Sequence, residues 1–360
     1  MTDPLEPFDA ILLLSYGGPR GHEDVLPFMR NATRGRNVPD SRLEMVSVHY
    51  KKFDGVSPIN ARMDELIEGL SMALRAKGST RPVLLGNRNW TPFMVDTLRE
   101  AHAQGLRHFL IMPTAAYSSY SGCRQYREDV AEAVETLRQE GIDGFRFSRV
   151  PAYYHLDGLI RTNAQAVIEA VREASAASTP EGGEDDETPT VIFITHSIPL
   201  DMNEASGPQG QTNVYEAQHA EHYAAVMANV EELHGGPVPW TFGYSSRSGP
   251  PHQPWQEPDI VDMLEDMYAD GIRRVVICPA GYLFDHMEVV YDLDTEAAEA
   301  AAELGMVYKR TRTAGVHPFF MNDLADWVLQ AATIADTSCS PQCCKSAPTA
   351  EMLPAVCGQD

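Results

Sequence analysis

The sequence predicts an α/β protein built as two similar halves. Each half is a parallel sheet flanked by helices, with an active-site cleft between the halves. Three observations predict it. Short apolar runs alternate with longer stretches of helix-like apolar spacing. The alternation breaks once, at a small, polar and acidic stretch, and then resumes. The unusual residues collect just beyond the apolar runs, where open parallel sheets bind their ligands.

In the first half, Asp9–Ser15 (Asp-Ala-Ile-Leu-Leu-Leu-Ser) reads as a buried strand, as do Arg81–Asn87, Leu106–Pro113 and Phe145–Pro151. Between them, Ile59–Lys77, Thr91–Gln104 and Arg124–Glu140 carry apolar residues at helical spacing. Residues Ala174–Pro189 are small, polar and acidic and read as a loop or linker. In the second half the strands are Thr190–Thr195, Pro237–Tyr244, Ile272–Pro279 and Met306–Arg310. The helices are Tyr215–Leu233, Pro258–Asp270, Asp285–Leu304 and Pro318–Ala335. The predicted organisation is residues 1–175, an acidic linker over 176–189, residues 190–335 and a cysteine-rich tail over 336–360.

Composition narrows the function. The 360 residues include 51 acidic and 28 basic side chains, for a net charge of −23. That charge opposes broad nucleic-acid binding, because a phosphate backbone would be repelled. Apolar residues at 43% and charged residues at 22% are ordinary for a folded soluble chain. No apolar run approaches the roughly 18 residues that span a bilayer. The first residues lack the basic and then apolar layout of a signal peptide, so the expected location is the cytoplasm.

The candidate site residues lie at the predicted strand ends. Ser15-Tyr16-Gly17-Gly18-Pro19 follows the first strand, and Thr195-His196-Ser197-Ile198-Pro199 closes the first strand of the second half. Gly17-Gly18-Pro19 invites a phosphate-loop reading, but ordinary turn chemistry is the stronger one, since neither GxGxxG nor Gly-Lys-Ser/Thr is present. His196 reads either as a core histidine or as a metal ligand or base. Asp285, Glu288, Asp292 and Glu296 recur every three or four residues and would line one helix face. Such a row is ordinarily a solvated face; leading towards a histidine, it could also guide a divalent cation or protons. Tyr16 is either a packed ring or a ligand-facing phenol, and a phenolic oxygen can bind haem-type iron.

Several segments together resemble the ferrochelatase family: Leu14-Ser15-Tyr16-Gly17-Gly18-Pro19, Phe53-Asp54-Gly55-Val56-Ser57-Pro58-Ile59, Thr195-His196-Ser197-Ile198-Pro199, Pro254-Trp255-Gln256-Glu257-Pro258-Asp259 and Asp285-His286-Met287-Glu288-Val289-Val290-Tyr291-Asp292. The resemblance runs from about Phe8 to Trp327. It implies Rossmann-like, chelatase-type halves and insertion of ferrous iron into a porphyrin. His196 and Glu288 would act at the metal, with Asp292 and Glu296 as an iron or proton path. The soluble composition and Tyr16 point to the Gram-positive branch, which makes iron-coproporphyrin III from coproporphyrin III on the way to haem b. There Tyr16 would be the axial ligand to product iron. Ser57, Tyr126 and Tyr50 would contact the porphyrin. The four carboxylates of coproporphyrin need cations, for which Arg34, Arg36 and Arg88 are candidates. Thr33 and His49 stand where well-known members of that branch have arginine. Transient contact with neighbouring haem-synthesis enzymes is a further expectation. The alternatives are a protoporphyrin IX ferrochelatase, another tetrapyrrole chelatase and a haem-binding or haem-delivery protein of the same fold. Joint retention of His196 and Glu288 disfavours the last.

Four of the six cysteines, Cys339, Cys343, Cys344 and Cys357, crowd the tail. Some ferrochelatases hold a [2Fe–2S] cluster with one internal and three C-terminal cysteines. On that resemblance Cys123, Cys339, Cys343 and Cys344 are the expected ligands, with Cys357 spare. A disordered thiol-rich tail and a zinc site on the same residues are the alternatives. Cys278 reads as a buried strand residue.

Overall fold

The computed structural model describes residues 2–35, 37–178, 187–249, 252–334 and 339–356. Residues 179–186, most of the predicted linker, lie outside the described residues. The chain forms two units. The first comprises Met1–Tyr153, Ala205–Thr212 and Leu324–Asp360; the second comprises Tyr154–Glu204 and Asn213–Asp323.

The first unit holds strands β1 (Ala10–Ser15), β2 (Val83–Asn87), β3 (His108–Pro113) and β4 (Arg146–Arg149). They form one sheet in the order β2-β1-β3-β4, with every pairing parallel. All six residues of β1 are buried, because a central parallel strand is covered on both faces. That is why its sequence is a continuous apolar run. The chain steps from β1 to one side, then returns to the other side at β3. The carboxyl ends of β1 and β3 therefore flank the switch point of the sheet.

The helices up to β4 in this unit are α1 (His22–Ala32), α2 (Asp40–Lys51), α3 (Ile59–Ala76), α4 (Met94–Ala103) and α5 (Gln125–Gln139). A single π-helical turn, Tyr120–Arg124, leads into α5. Leu98, Val130 and Leu137 pack with Leu12, Leu14, Phe109 and Ile111 of the sheet. The sequence does not foretell α1 and α2. Pro27 lies inside α1, and the few apolar residues of α1 and α2 build a small separate core of Val25, Phe28, Met29 and Leu43.

The second unit repeats the plan. Strands β5 (Thr190–His196), β6 (Trp240–Ser245), β7 (Arg274–Cys278) and β8 (Val307–Arg310) pair in parallel in the order β6-β5-β7-β8. Its helices are α6 (Asp157–Ser175), α7 (Leu200–Glu204), α8 (Val214–His234), α9 (Ile260–Ala269), α10 (Met287–Tyr291) and α11 (Ala297–Leu304). The strand period of two divides the core. Phe193 faces Val167, Val171, Tyr223 and Val276 on one side. Ile192 and Ile194 face Leu264, Ile277, Val289 and Leu293 on the other. Here the switch point lies between β5 and β7.

The single helix predicted over Asp285–Leu304 is in fact three pieces. The α10 and α11 segments are joined by a π-helical turn, Asp292–Glu296. A last helix, α12 (Pro318–Thr333), has its residues from Leu324 onward in the first unit. Among the described residues, no helix is long and apolar enough to cross a membrane.

Candidate active site

In the second unit, His196 ends β5 and Glu288 lies on α10 after β7, so the two flank the β5/β7 switch point. Their side chains approach to 3.8 Å, His196 Nε2 to Glu288 Oε2. His196 is one-third exposed and Glu288 more than half exposed. His196 Nδ1 donates to the Ser197 carbonyl. A carbonyl only accepts, so Nδ1 carries the proton and Nε2 offers its lone pair on the Glu288 side.

The loop holding His196 is pinned by a second motif. Ser197 Oγ donates to the Gln256 carbonyl at 2.8 Å. Gln256 N–H donates to the Ile198 carbonyl at 3.1 Å, and Leu200 N–H to the Pro254 carbonyl at 3.1 Å. The Pro254–Asp259 segment thus splints the Thr195–Pro199 segment, which accounts for two of the sequence motifs together.

The acidic row continues from Glu288 into the wide turn. Asp292 opens that turn and Glu296 closes it. Asp292 is pushed up to about 7, first by burial; the Ser246 hydroxyl that donates to it opposes this, and the charges of Glu288 and Glu296 add to it. π-turns favour functional positions because they redirect side chains within a helix. Arg310, at the end of β8, braces the row. Its guanidinium pairs with Asp294 in the wide turn and, at 3.1 Å, with Asp285. His286 is drawn below the usual histidine range by burial, with His196 nearby adding to the effect.

In the first unit the predicted porphyrin contacts gather at the ends of β1 and β2. Tyr16 follows β1 and is 44% exposed. Its ring meets Phe28 edge-on at 6.1 Å, and Tyr50 also meets Phe28 edge-on at 6.1 Å. Nothing in the sequence singles out Phe28, yet it joins the two tyrosines and Trp90. Ser57 is buried behind Gly18, where a Cβ would come within 2.6 Å of the Ser57 Cβ. Tyr126 is buried under the Arg88 guanidinium, 5.6 Å from the ring centre. Arg88 is paired with Asp129 at 3.2 Å. Burial pushes Asp129 up to about 6. Of the other two candidate cations, Arg34 is exposed and Arg36 lies outside the described residues. The side chain of His49 is likewise not described.

The four cysteines expected from the sequence to meet do come together, all buried and all in the first unit. The expected [2Fe–2S] cluster does not stand. Among the described residues, no group of three or more His, Cys, Asp or Glu is arranged to hold a metal ion. The free thiols hydrogen-bond to one another instead. Cys343 donates to Cys344 at 3.5 Å, and hydrogen bonds from Cys339 and Cys344 draw the Cys123 thiol down. Cys344 also accepts from the Gly207 amide at 3.3 Å, and Cys123 from Arg149 at 3.6 Å. The thiols therefore act as a small satellite core that anchors the tail. Cys357 lies outside the described residues, and Cys278 is a buried strand residue.

A histidine and a carboxylate at a sheet switch point, with an acid row behind them, define a candidate metal-handling enzyme of the two-half α/β class. The sequence comparisons make this specific. A family model described as Ferrochelatase matches residues 8–332. A coproporphyrin III ferrochelatase of Streptomyces coelicolor is 43% identical over 337 residues, covering 92% of this chain and 88% of its own length. One of Streptomyces griseus is 41% identical over 362 residues, covering 99% and 94%. Among solved structures, SirB from Bacillus subtilis with Fe3+ overlaps at a TM-score of 0.49 and 15% identity, covering 91% of this chain and 96% of that one. The chain belongs to the ferrochelatase family, enzymes of the lyase class.

Proposed function

We propose that this protein inserts ferrous iron into coproporphyrin III, forming iron-coproporphyrin III for haem b synthesis. The observation that carries the reading is the His196–Glu288 pair, with Nε2 left as a free acceptor 3.8 Å from a carboxylate. The family membership and the relatives named coproporphyrin III ferrochelatase support the choice of substrate.

The chemistry must remove two pyrrole protons and replace the water around Fe2+. His196 Nε2 takes a proton or holds the ion, and Glu288 supplies an oxygen ligand. Asp292, titrating near neutrality, and Glu296 carry protons or iron along the row. Tyr16 supplies the axial oxygen to the product iron. Tyr50 lines the porphyrin site, while Ser57 and Tyr126 shape its wall from buried positions. Transient contact with the enzymes before and after this step fits a reactive, poorly soluble product.

The test is an anaerobic absorbance assay with ferrous iron, comparing coproporphyrin III with protoporphyrin IX. Rapid conversion of coproporphyrin alone supports the proposal. Preferred conversion of protoporphyrin would overturn the substrate and the role of Tyr16. Binding of either without conversion would make the protein a carrier.

A further inference from the structure

The peptide between His196 and Ser197 is fixed at both ends. The Ser197 amide donates to the Ser245 carbonyl at 2.8 Å. The Tyr215 hydroxyl, on the first turn of α8, donates to the His196 carbonyl at 2.9 Å. This plane places the Ser197 Cα, from which the next carbonyl, that of Ser197, extends. That carbonyl receives the Nδ1 proton of His196.

The groups behind Tyr215 make its hydroxyl a donor. It also lies 2.8 Å from Thr195 Oγ1, which lies 2.9 Å from His219 Nε2. His219 Nδ1 is 2.7 Å from the Tyr215 carbonyl, which only accepts, so Nδ1 holds the proton. Burial pushes His219 down to about 3, so the ring is neutral and Nε2 is an acceptor. Thr195 must therefore donate to His219. It then offers only lone pairs to Tyr215. The single tyrosine proton is shared between Thr195 and the His196 carbonyl, and Tyr215 is a donor in either position.

We infer that Tyr215 is a positioning residue for metal insertion: its hydroxyl fixes the His196–Ser197 peptide and so keeps His196 in the tautomer that turns a bare Nε2 towards Glu288. This rests on the reading of His196 as the group that meets the pyrrole proton or the ion.

Tyr215→Phe keeps the ring and removes the donor. In the full chain, with Fe2+ and coproporphyrin III, kcat is expected to fall about tenfold, the equivalent of one buried hydrogen bond. KM for the porphyrin is expected to stay within about twofold, the pattern of an interaction used in the chemical step and not in binding. Nitrogen-15 spectra of the histidine-labelled chain are expected to show one His196 tautomer in the wild type and a mixture in the variant. Thr195→Val removes the competing acceptor and is expected to keep the single tautomer. Wild-type kcat or a single tautomer in Tyr215→Phe overturns the inference, as does a mixture in Thr195→Val. Failure of the underlying reading looks different. The wild type would then insert no iron, or His196→Ala would turn over normally.

Discussion

Gly281 stands against Thr195 with no room for a side chain: a Cβ at 281 would overlap both Oγ1 and Cβ of Thr195. The Gly281 amide donates to the Ile194 carbonyl at 3.1 Å, so the loop after β7 is drawn onto the tip of β5. Gly281→Ala would force these apart next to His196. We expect a stability loss of roughly 1–3 kcal/mol, typical of overpacking, with a larger proportional loss of iron insertion. Urea unfolding and the insertion assay on one preparation check this, and unchanged values for both would refute it.

Asp292 should make stability depend on pH. Its folded value of about 7 exceeds the 3.8 of an ordinary aspartate. A carboxyl raised in this way binds its proton more tightly when folded. Its favourable effect is present below about pH 4 and is lost as pH rises through about 7. Asp292→Asn cannot ionise, so it is expected to match the wild type near pH 4 and to be more stable by up to about 4 kcal/mol near pH 8. Denaturant unfolding at both pH values decides it. A difference that is constant with pH would show that Asp292 does not titrate in this window.

Arg124 should hold the tail. It is 2% exposed, pairs with Glu128 at 2.7 Å and donates to the carbonyls of Pro341, Cys343 and Leu353 at 2.7, 3.3 and 2.9 Å. Arg124→Ala leaves Glu128 buried without its cation, at a cost of about 3–5 kcal/mol. Limited proteolysis is expected to cut within 339–356 in the variant well before the rest of the chain. Equal resistance of the two proteins would mean that the tail is secured elsewhere.

His196→Ala is expected to reduce iron insertion at least about a hundredfold, the usual scale for losing a positioned base. Porphyrin binding, followed by quenching of porphyrin fluorescence, should persist. Turnover near the wild-type rate would remove His196 from the mechanism.

Tyr16→Phe keeps the edge-on packing against Phe28 and deletes only the phenol oxygen. The absorption spectrum of bound iron-coproporphyrin is expected to shift, because an axial oxygen ligand is lost. Identical spectra would place the ligand elsewhere.

Much of the fold is legible in the chain because central parallel strands are buried on both faces. β1 and β5 read as unbroken apolar runs, and the residues at or just beyond their ends include Tyr16 and His196. Other features leave no local trace. The wide turn at Asp292–Glu296 has no composition of its own, so Asp285–Leu304 reads as one helix. Arg124 and Arg310 look like surface residues until the carboxylates and carbonyls that they meet are placed. The aromatic and histidine face of α8 buries Tyr215 and His219 alongside its aliphatic residues, which hides the link to His196. The tail thiols do gather with Cys123, but proximity of sulfurs does not by itself make a metal centre.

Each sheet has a wide helical turn in the connection after its third strand, at Tyr120–Arg124 beyond β3 and at Asp292–Glu296 beyond β7. Such a turn winds more residues into one revolution than an α-helix does, so the side chains it carries leave the spacing of the helix that follows. The sheet beneath needs no change for this. One wide turn presents a thiol, Cys123, and the other a carboxyl that titrates near neutrality, Asp292.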